Sequence, residues 1–300
     1  MIIAQITAGM GNQLFQYAAA RNFAEKYGHD LKLDMTFFET WKDPDVFRLD
    51  KFKTHYEIAS TDEIESLKRI EYPRNRIDIR ILNKFKRRRL YENNKNHVDS
   101  KTFLFDKKKF HKFHKVNNIY LSGCWADEKY FIEYQDVIRE EFTLNESLNA
   151  ANEEMKSKIV NSNSVSLHFR LGDDYVKNPF FADVPLDYYT TGIKYIAEHQ
   201  RKIKIFIFSN DLQWVKKNLK VDYEIEYVDI NGSKTDFMEL SLMSYCKHNI
   251  IANSTFSWWG AWLNRNNEKN VIAPKKWFNN KEAQNKYESG NLVPASWKKI

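Results

Sequence analysis

From Ser164 onward, short apolar runs rich in β-branched and aromatic residues alternate with segments of helical period. Val165 to Phe169, Ile203 to Phe208, Tyr223 to Val228, Asn249 to Ala252 and Asn270 to Ala273 are predicted strands, the last stopped by Pro274. Leu186 to Gln200, Asp211 to Leu219, Asp236 to Cys246 and Thr255 to Leu263 are predicted helices, the third carrying Phe237, Leu240, Met243 and Tyr245 near helical spacing. Repeated strand-helix alternation predicts parallel βαβ units, hence a doubly wound α/β sheet whose ligand sits at the carboxyl ends of the strands. The first half starts in the same way: a strand from Met1 to Thr7, a glycine turn, a helix from Asn12 to Tyr27 and a strand from Leu31 to Asp34.

After Asp34 the period fades. Residues 36–60 read as turns and short strands, Thr61 to Glu65 opens a capped helix, and 84–115 shows no apolar period. Order returns with a strand over Ile119 to Gly123 and a helix over Lys129 to Phe142; a further helix after Asn145 runs into the polar joint before Ser164. The boundary therefore falls between 150 and 162, dividing the chain into an α/β domain 1–155 with a basic insertion 84–115 and a second domain 156–300. Three hundred residues suit two domains of ordinary size, and 42% apolar residues suffice for two cores.

Charge changes the picture only once it is located. The chain carries +7, but 84–115 alone holds twelve bases against three acids, so the other 268 residues sum to −2. Basicity belongs to one segment, which argues against a global nucleic-acid footprint. Cys124 and Cys246 stand far apart in no CxxC pattern, which points to a reducing compartment. The apolar run at the start is too short for a signal segment, and no run reaches membrane-spanning length.

Five segments carry candidate chemistry. Gly9-Met10-Gly11-Asn12-Gln13 opens the first helix, where glycines admit close ligand approach and the amides of Asn12 and Gln13 can meet a sugar hydroxyl or phosphate oxygen; a plain tight turn explains it as well. His168 and Arg170 share a face at the end of a strand, as a phosphate-binding pair or as a strand cap with Arg170 paired to Asp173. Ser209, Asn210 and Asp211 end the next strand, with Asp211 read first as an N-cap. Asp236 and Glu239 open a helix, and either also suits the N–H edge of a guanine; spacing does not decide between these roles.

In Asn253-Ser254-Thr255-Phe256-Ser257-Trp258-Trp259-Gly260-Ala261-Trp262 the hydroxyls stand at an N-cap able to hold an anion. The tryptophans are too many for one stripe, so some are expected to line a wall for a base or sugar. No carboxylate or histidine set has metal-ligand spacing.

Together, Gly9 to Ala18, His168 to Asp173, Phe208 to Val215 and Asn249 to Leu263 resemble glycosyltransferase family 11, the α-1,2-fucosyltransferases, with bacterial members nearest. The resemblance implies a GT-B type fold of two Rossmann-like domains facing a central cleft, with GDP-β-L-fucose on the second domain. It also implies inverting, metal-independent transfer to the 2-hydroxyl of a terminal β-galactose on a surface glycan such as O-antigen, with no cofactor beyond the donor. Carried over by motif, Arg170 binds the β-phosphate, His168 lies beside the nucleotide, and Ser254, Thr255 and Phe256 present helix N–H groups to the pyrophosphate. Gly11, Asn12 and Gln13 face the donor from the other domain, and Ser209, Asp211 and Asp236 border the nucleotide.

Candidates for the base are Asp127, Glu128, Asp173 and Asp174. The chain departs from the family pattern in having Leu171 where a second basic residue is usual, and Asp174 before Tyr175. Other GDP-sugar fucosyl transfer is the alternative, and nucleic-acid binding by 84–115 a distant one. The basic insertion suggests a cytoplasmic enzyme resting on the inner face of a bacterial plasma membrane.

Overall fold

The structure is a computed structural model that describes the chain apart from residues 41–45, 69–95, 101–117, 173–176 and 291. It divides into two units: residues 1–47 with 54–141, and residues 48–53 with 142–300. The boundary expected at 155 falls inside a helix, Ala150–Val160, that belongs wholly to the second unit. Residues 48–53 join that unit from the other half of the sequence.

In the first unit, β1 (Ile2–Gln5), β2 (Leu31–Asp34), β3 (Glu57–Ile58), β4 (His97–Ser100) and β5 (Ile119–Gly123) form a parallel sheet in the order β3-β2-β1-β5-β4. Helix α1 (Met10–Tyr27) starts on Gly9 in extended geometry. It stops at Gly28, whose φ of 63° only glycine adopts freely and whose N–H returns to the Ala24 and Glu25 carbonyls. Helices α2 (Thr36–Thr40) and α3 (Thr61–Leu67) follow, the latter closed by a capping box between Ser60 and Glu63 as its sequence predicts.

The helix expected over 129–142 breaks into two turns, Glu128–Tyr130 and Ile132–Tyr134, before α4 (Gln135–Glu141). Phe131 leaves helical geometry at φ −143° and ψ 0°, and its buried ring packs near Phe15. β4 lies inside the stretch read as lacking a strand. It has one apolar residue, Val98, and is held by its ladder to β5.

The second unit carries α5 (Ala150–Val160), β6 (Asn163–Phe169), α6 (Leu186–His199), β7 (Ile203–Ser209), α7 (Leu212–Asn218), β8 (Glu224–Tyr227), α8 (Asp236–Tyr245), β9 (His248–Ile250), α9 (Thr255–Leu263), β10 (Val271–Ala273), α10 (Lys281–Ser289) and β11 (Lys298–Lys299). Its parallel sheet runs β11-β10-β9-β6-β7-β8. Strand alternation builds a core on each face: Val165, Leu167 and Phe169 join Ile193 and Ile196 on one side, while Phe206 and Phe208 join Leu242 and Met243 on the other. Strand order reverses between β6 and β9 here, and between β1 and β5 in the first sheet. These are the switch points at which open α/β sheets leave a crevice.

Helices α8 and α9 touch through Gly260, where an added Cβ would stand 2.9 Å from the Met243 Cβ and 3.3 Å from its sulfur. Gly260→Ala is therefore expected to cost about 1–3 kcal/mol by overpacking, against the small gain that alanine brings inside a helix. Urea unfolding of the two proteins measures the loss; equal midpoints would contradict this packing account.

Candidate active site

The second switch point collects three of the four motifs. β6 carries His168 to its carboxyl end on the face opposite Leu167, with the ring 5.4 Å from that of Phe256. His168 is buried, and its Nδ1 has no hydrogen-bond partner among the described residues. Burial, reinforced by the nearby Arg170 charge, holds its pKa down to about 3. The ring is thus a neutral imidazole in any physiological solution, suited to donate or accept one hydrogen bond rather than to shuttle a proton.

Arg170 follows two residues on, half-buried, where the chain leaves the strand. That exit is fixed from the neighbouring strand: the Leu171 N–H donates to Asn210 Oδ1 at 2.8 Å. Asn210 therefore braces the backbone that carries Arg170. Ser209 and Asp211 are occupied locally. Ser209 Oγ accepts from the Asp211 N–H at 3.0 Å, and the Asp211 carboxylate caps α7 through the Trp214 N–H at 2.9 Å, the plain cap reading.

α9 leaves the sheet just after β9. Ser254 is its N-cap and accepts from the Phe256 N–H at 3.3 Å, and the first turn holds no acid, so the positive end of the helix dipole is unopposed. Asn253 sets this start in place, its buried amide donating to the carbonyls of Ala182 and Trp277. The tryptophan wall is corrected. Trp258, Trp259 and Trp262 are buried against one another, and Trp258 donates its indole N–H to the Leu292 carbonyl, so all three are core. A short helix between two packed layers hides more than one stripe.

At the start of α8 the two acids part company. Asp236 accepts from Arg48 Nε at 2.8 Å, while Arg48 Nη2 donates to the Ser233 carbonyl at 2.8 Å. Burial outweighs that partner and raises the Asp236 pKa. Glu239, one turn on, has no such cation; burial, with Asp236 and Asp229 adding repulsion, pushes it up to about 8. Arg48 was not legible beforehand, since nothing near it in the sequence points 188 residues ahead.

In the first unit the glycine turn is built as expected, but its residues divide. Ala8 takes φ 61°, Gly11 is buried and Asn12 is half-exposed at the first turn of α1. Gln13 is fully buried; its Nε2 donates to the carbonyls of Ala8 and Val46, both at 2.8 Å. Its amide braces the loop rather than facing a ligand. Gln16, one turn on, ties Thr7 to the Gly123 carbonyl.

Asp127 is also fully buried and caps a turn through the Lys129 N–H at 3.0 Å, a position unsuited to reaching an acceptor hydroxyl. Asp173 and Asp174 lie outside the described residues, as does 84–115 apart from 96–100. Among the described residues no helix is long and apolar enough to cross a membrane.

The family model of glycosyl transferase family 11 matches residues 1–297. An O-antigen biosynthesis glycosyltransferase of Escherichia coli, WbnK, is 35% identical over 298 residues, covering 92% of this chain and 95% of that protein. An α-1,2-colitosyltransferase of the same species is 31% identical over 314 residues, covering 100% and 99%. Among solved structures, the α-1,6-fucosyltransferase NodZ co-crystallised with GDP superposes with TM-score 0.51 at 15% identity, covering 86% of this chain and 90% of that one. A mutant of Arabidopsis thaliana FUT1 in complex with GDP gives 0.50 at 10%, covering 91% and 70%. These two share the GT-B type fold. With two parallel α/β sheets, the four motifs in order and a match from end to end, the chain belongs to glycosyltransferase family 11.

Proposed function

We propose that the protein transfers L-fucose from GDP-β-L-fucose, with inversion, to the 2-hydroxyl of a terminal β-galactose of an O-antigen or similar glycan. The observation that carries this is the group at the second switch point: a neutral His168, its Nδ1 without a partner among the described residues, two residues before Arg170, with the acid-free start of α9 following the adjacent β9.

As the bond from fucose C1 to the β-phosphate oxygen breaks, negative charge grows on the phosphate and positive charge on the sugar ring. Fixed donors aimed at the growing charge lower the barrier because they strengthen in the transition state. Arg170 supplies a guanidinium fork and the Thr255 and Phe256 turn supplies oriented backbone dipole. His168 Nδ1 offers one neutral hydrogen bond to the nucleotide. Glu239 is the carboxyl that reads the N–H edge of guanine, since Asp236 is engaged by Arg48. Asn12, half-exposed at the first turn of α1, is the motif residue proposed to meet a sugar hydroxyl or phosphate oxygen. Asp173 remains the proposed base, taking the galactose hydroxyl proton.

Transfer of colitose is a second reading, favoured by the 31% identity to the colitosyltransferase along the entire chain. Colitose is fucose without its 3-hydroxyl. A site that hydrogen-bonds that hydroxyl rejects the deoxy sugar by about 10⁴-fold, whereas one that leaves it in water barely discriminates. Incubation with GDP-fucose and GDP-colitose in turn, against a panel of β-galactosides with NMR of the product linkage, tests both. Fucosyl product linked α1-2 to galactose is expected; transfer from GDP-colitose alone would select the second reading, and no transfer to any galactoside would overturn both.

A further inference from the structure

We infer that Arg48, delivered to the second unit by the 48–53 strip, is a positioning residue for the nucleotide donor: it occupies Asp236 and pins the 229–236 loop, so that Glu239 is the carboxyl left to face the base. The inference rests on the proposed GDP-sugar reading and goes beyond it by assigning a role to a residue outside all four motifs.

The strip is built into the second unit before Arg48 makes any polar contact. Phe52 forms an antiparallel bridge with Leu144 and its ring packs against Phe142. The Lys53 N–H donates to the Thr143 carbonyl and the Asn145 N–H to the Lys51 carbonyl. Leu49 is fully buried. Arg48 stands at the head of the turn Leu49–Lys51, so its backbone is carried by the buried Leu49 and the anchored residues that follow it. Its side chain is 9% exposed, and its fork spans two elements, the Ser233 carbonyl of the loop and the Asp236 carboxylate of α8.

The same loop is pinned from its other end. Asn152 of α5 and Asn231 exchange amide hydrogen bonds at 3.0 and 2.9 Å, and the Gly232 N–H donates to Thr235 Oγ1 at 3.0 Å. A loop fixed at both ends is ready-made for an orienting role, because its groups need no ordering when a ligand arrives.

The charges point the same way. A buried ion pair adds little stability over an apolar pair of the same shape, so burying Arg48 here is poorly explained as reinforcement of the core. Around Glu239 stand Asp236 on its own helix and Asp229 from the loop after β8. α9, packed on α8, carries no titratable side chain, and α5 contributes Lys156 only over the Tyr245 ring, at the far end of α8. Without Arg48 the carboxylates of Asp229, Asp236 and Glu239 would lose a buried cation, leaving Lys234, exposed in the same loop, as the nearest basic residue in sequence, and would be a poorer neighbour for a diphosphate. With it, one carboxylate is matched and Glu239 is left to accept from the base.

The test is calorimetric titration of the full chain with GDP from pH 6 to 9, on the parent, R48A, R48K and E239Q, with thermal melts to follow the fold. A carboxyl must lose its proton to accept from guanine N–H groups, so parent affinity should rise with pH and level off above the Glu239 pKa of about 8. E239Q should be weaker and flat with pH. R48A should bind GDP about tenfold or more weakly, with its pH midpoint displaced upward because Asp236 has lost its cation. R48K, which keeps the charge but not the fork, should recover the midpoint and only part of the affinity.

Should R48A not fold, R48Q, which keeps a hydrogen-bonding side chain but not the charge, takes its place and should show the same weakened affinity and upward-displaced midpoint. Parent-like affinity and midpoint in every folded Arg48 variant would overturn the inference while leaving the GDP reading intact. A uniform loss in R48A with an unmoved midpoint would reduce Arg48 to a structural brace and overturn it as well. Failure of the parent to bind GDP at any pH would remove the donor reading and this inference together.

Discussion

Arg170→Ala is expected to fold like the parent and to transfer sugar about 10³-fold more slowly, the size of effect found when one fixed donor to a developing anion is removed. Arg170 sits where β6 has ended and is half-buried, so alanine there removes no fully buried side chain. Its positive charge adds to burial in holding the His168 pKa down. The loss should fall mainly in kcat, because the phosphate gains charge as the sugar departs and the guanidinium interaction strengthens only then. Arg170→Lys restores a point charge without the two-pronged geometry and should lie between the two. Initial rates with saturating donor, alongside circular dichroism of each protein, measure this; near-parental turnover in a folded Arg170→Ala enzyme would remove Arg170 from the phosphate.

Gly123→Ala is expected to prevent the first unit from folding. Gly123 ends β5 with φ +105°, outside the range that side chains tolerate. A Cβ there would meet the Ser100 carbonyl oxygen at 2.3 Å, its carbon at 2.7 Å and the Ser100 nitrogen at 2.8 Å. All three are backbone of the adjacent β4, in register with Gly123, and the same carbonyl accepts from the Cys124 N–H. No rotamer change relieves the contact; β4 itself must move. Strain and lost ladder bonds together should exceed about 4 kcal/mol, a large share of the total stability of any domain. Gly9→Ala is the control, since nothing lies within 4 Å of its added Cβ and its φ is negative. Soluble yield and urea unfolding compare the pair, and a Gly123→Ala protein as stable as Gly9→Ala would show that this strand junction is more pliable than described.

Residues whose role is local were legible in the sequence, and residues whose role depends on distant partners were not. Asp211 as a helix cap, the capping box of Ser60 and Glu63, and Ser254 at the head of α9 each follow from a side chain and the backbone within three residues of it. Five of the six strands of the second sheet were legible for the same reason, being short apolar runs between helices of regular period; β11, two lysines paired to β10, was not. β4 was hidden because His97-Val98-Asp99-Ser100 has neither alternation nor a run, and is strand only through β5, some twenty residues ahead.

Gln13 shows the opposite failing: its position in the glycine motif was right, yet an amide that looks free in sequence is consumed by two carbonyls, one of them 33 residues away. The tryptophans of α9 misled through excess, because a helix enclosed on several sides buries residues that an amphipathic pattern would leave outside.

The passage of residues 48–53 onto the second unit also bears on how such genes recombine. A hybrid taking residues 1–141 from one relative and 142–300 from another would join two sheets that are each complete, yet it would set an unmatched side chain opposite Asp236 and a foreign one against Phe142. The two halves are therefore not freely exchangeable modules. Substitutions at the six residues of the strip are expected to need matching changes in the half it joins, and a productive crossover has to carry the strip with its hosts.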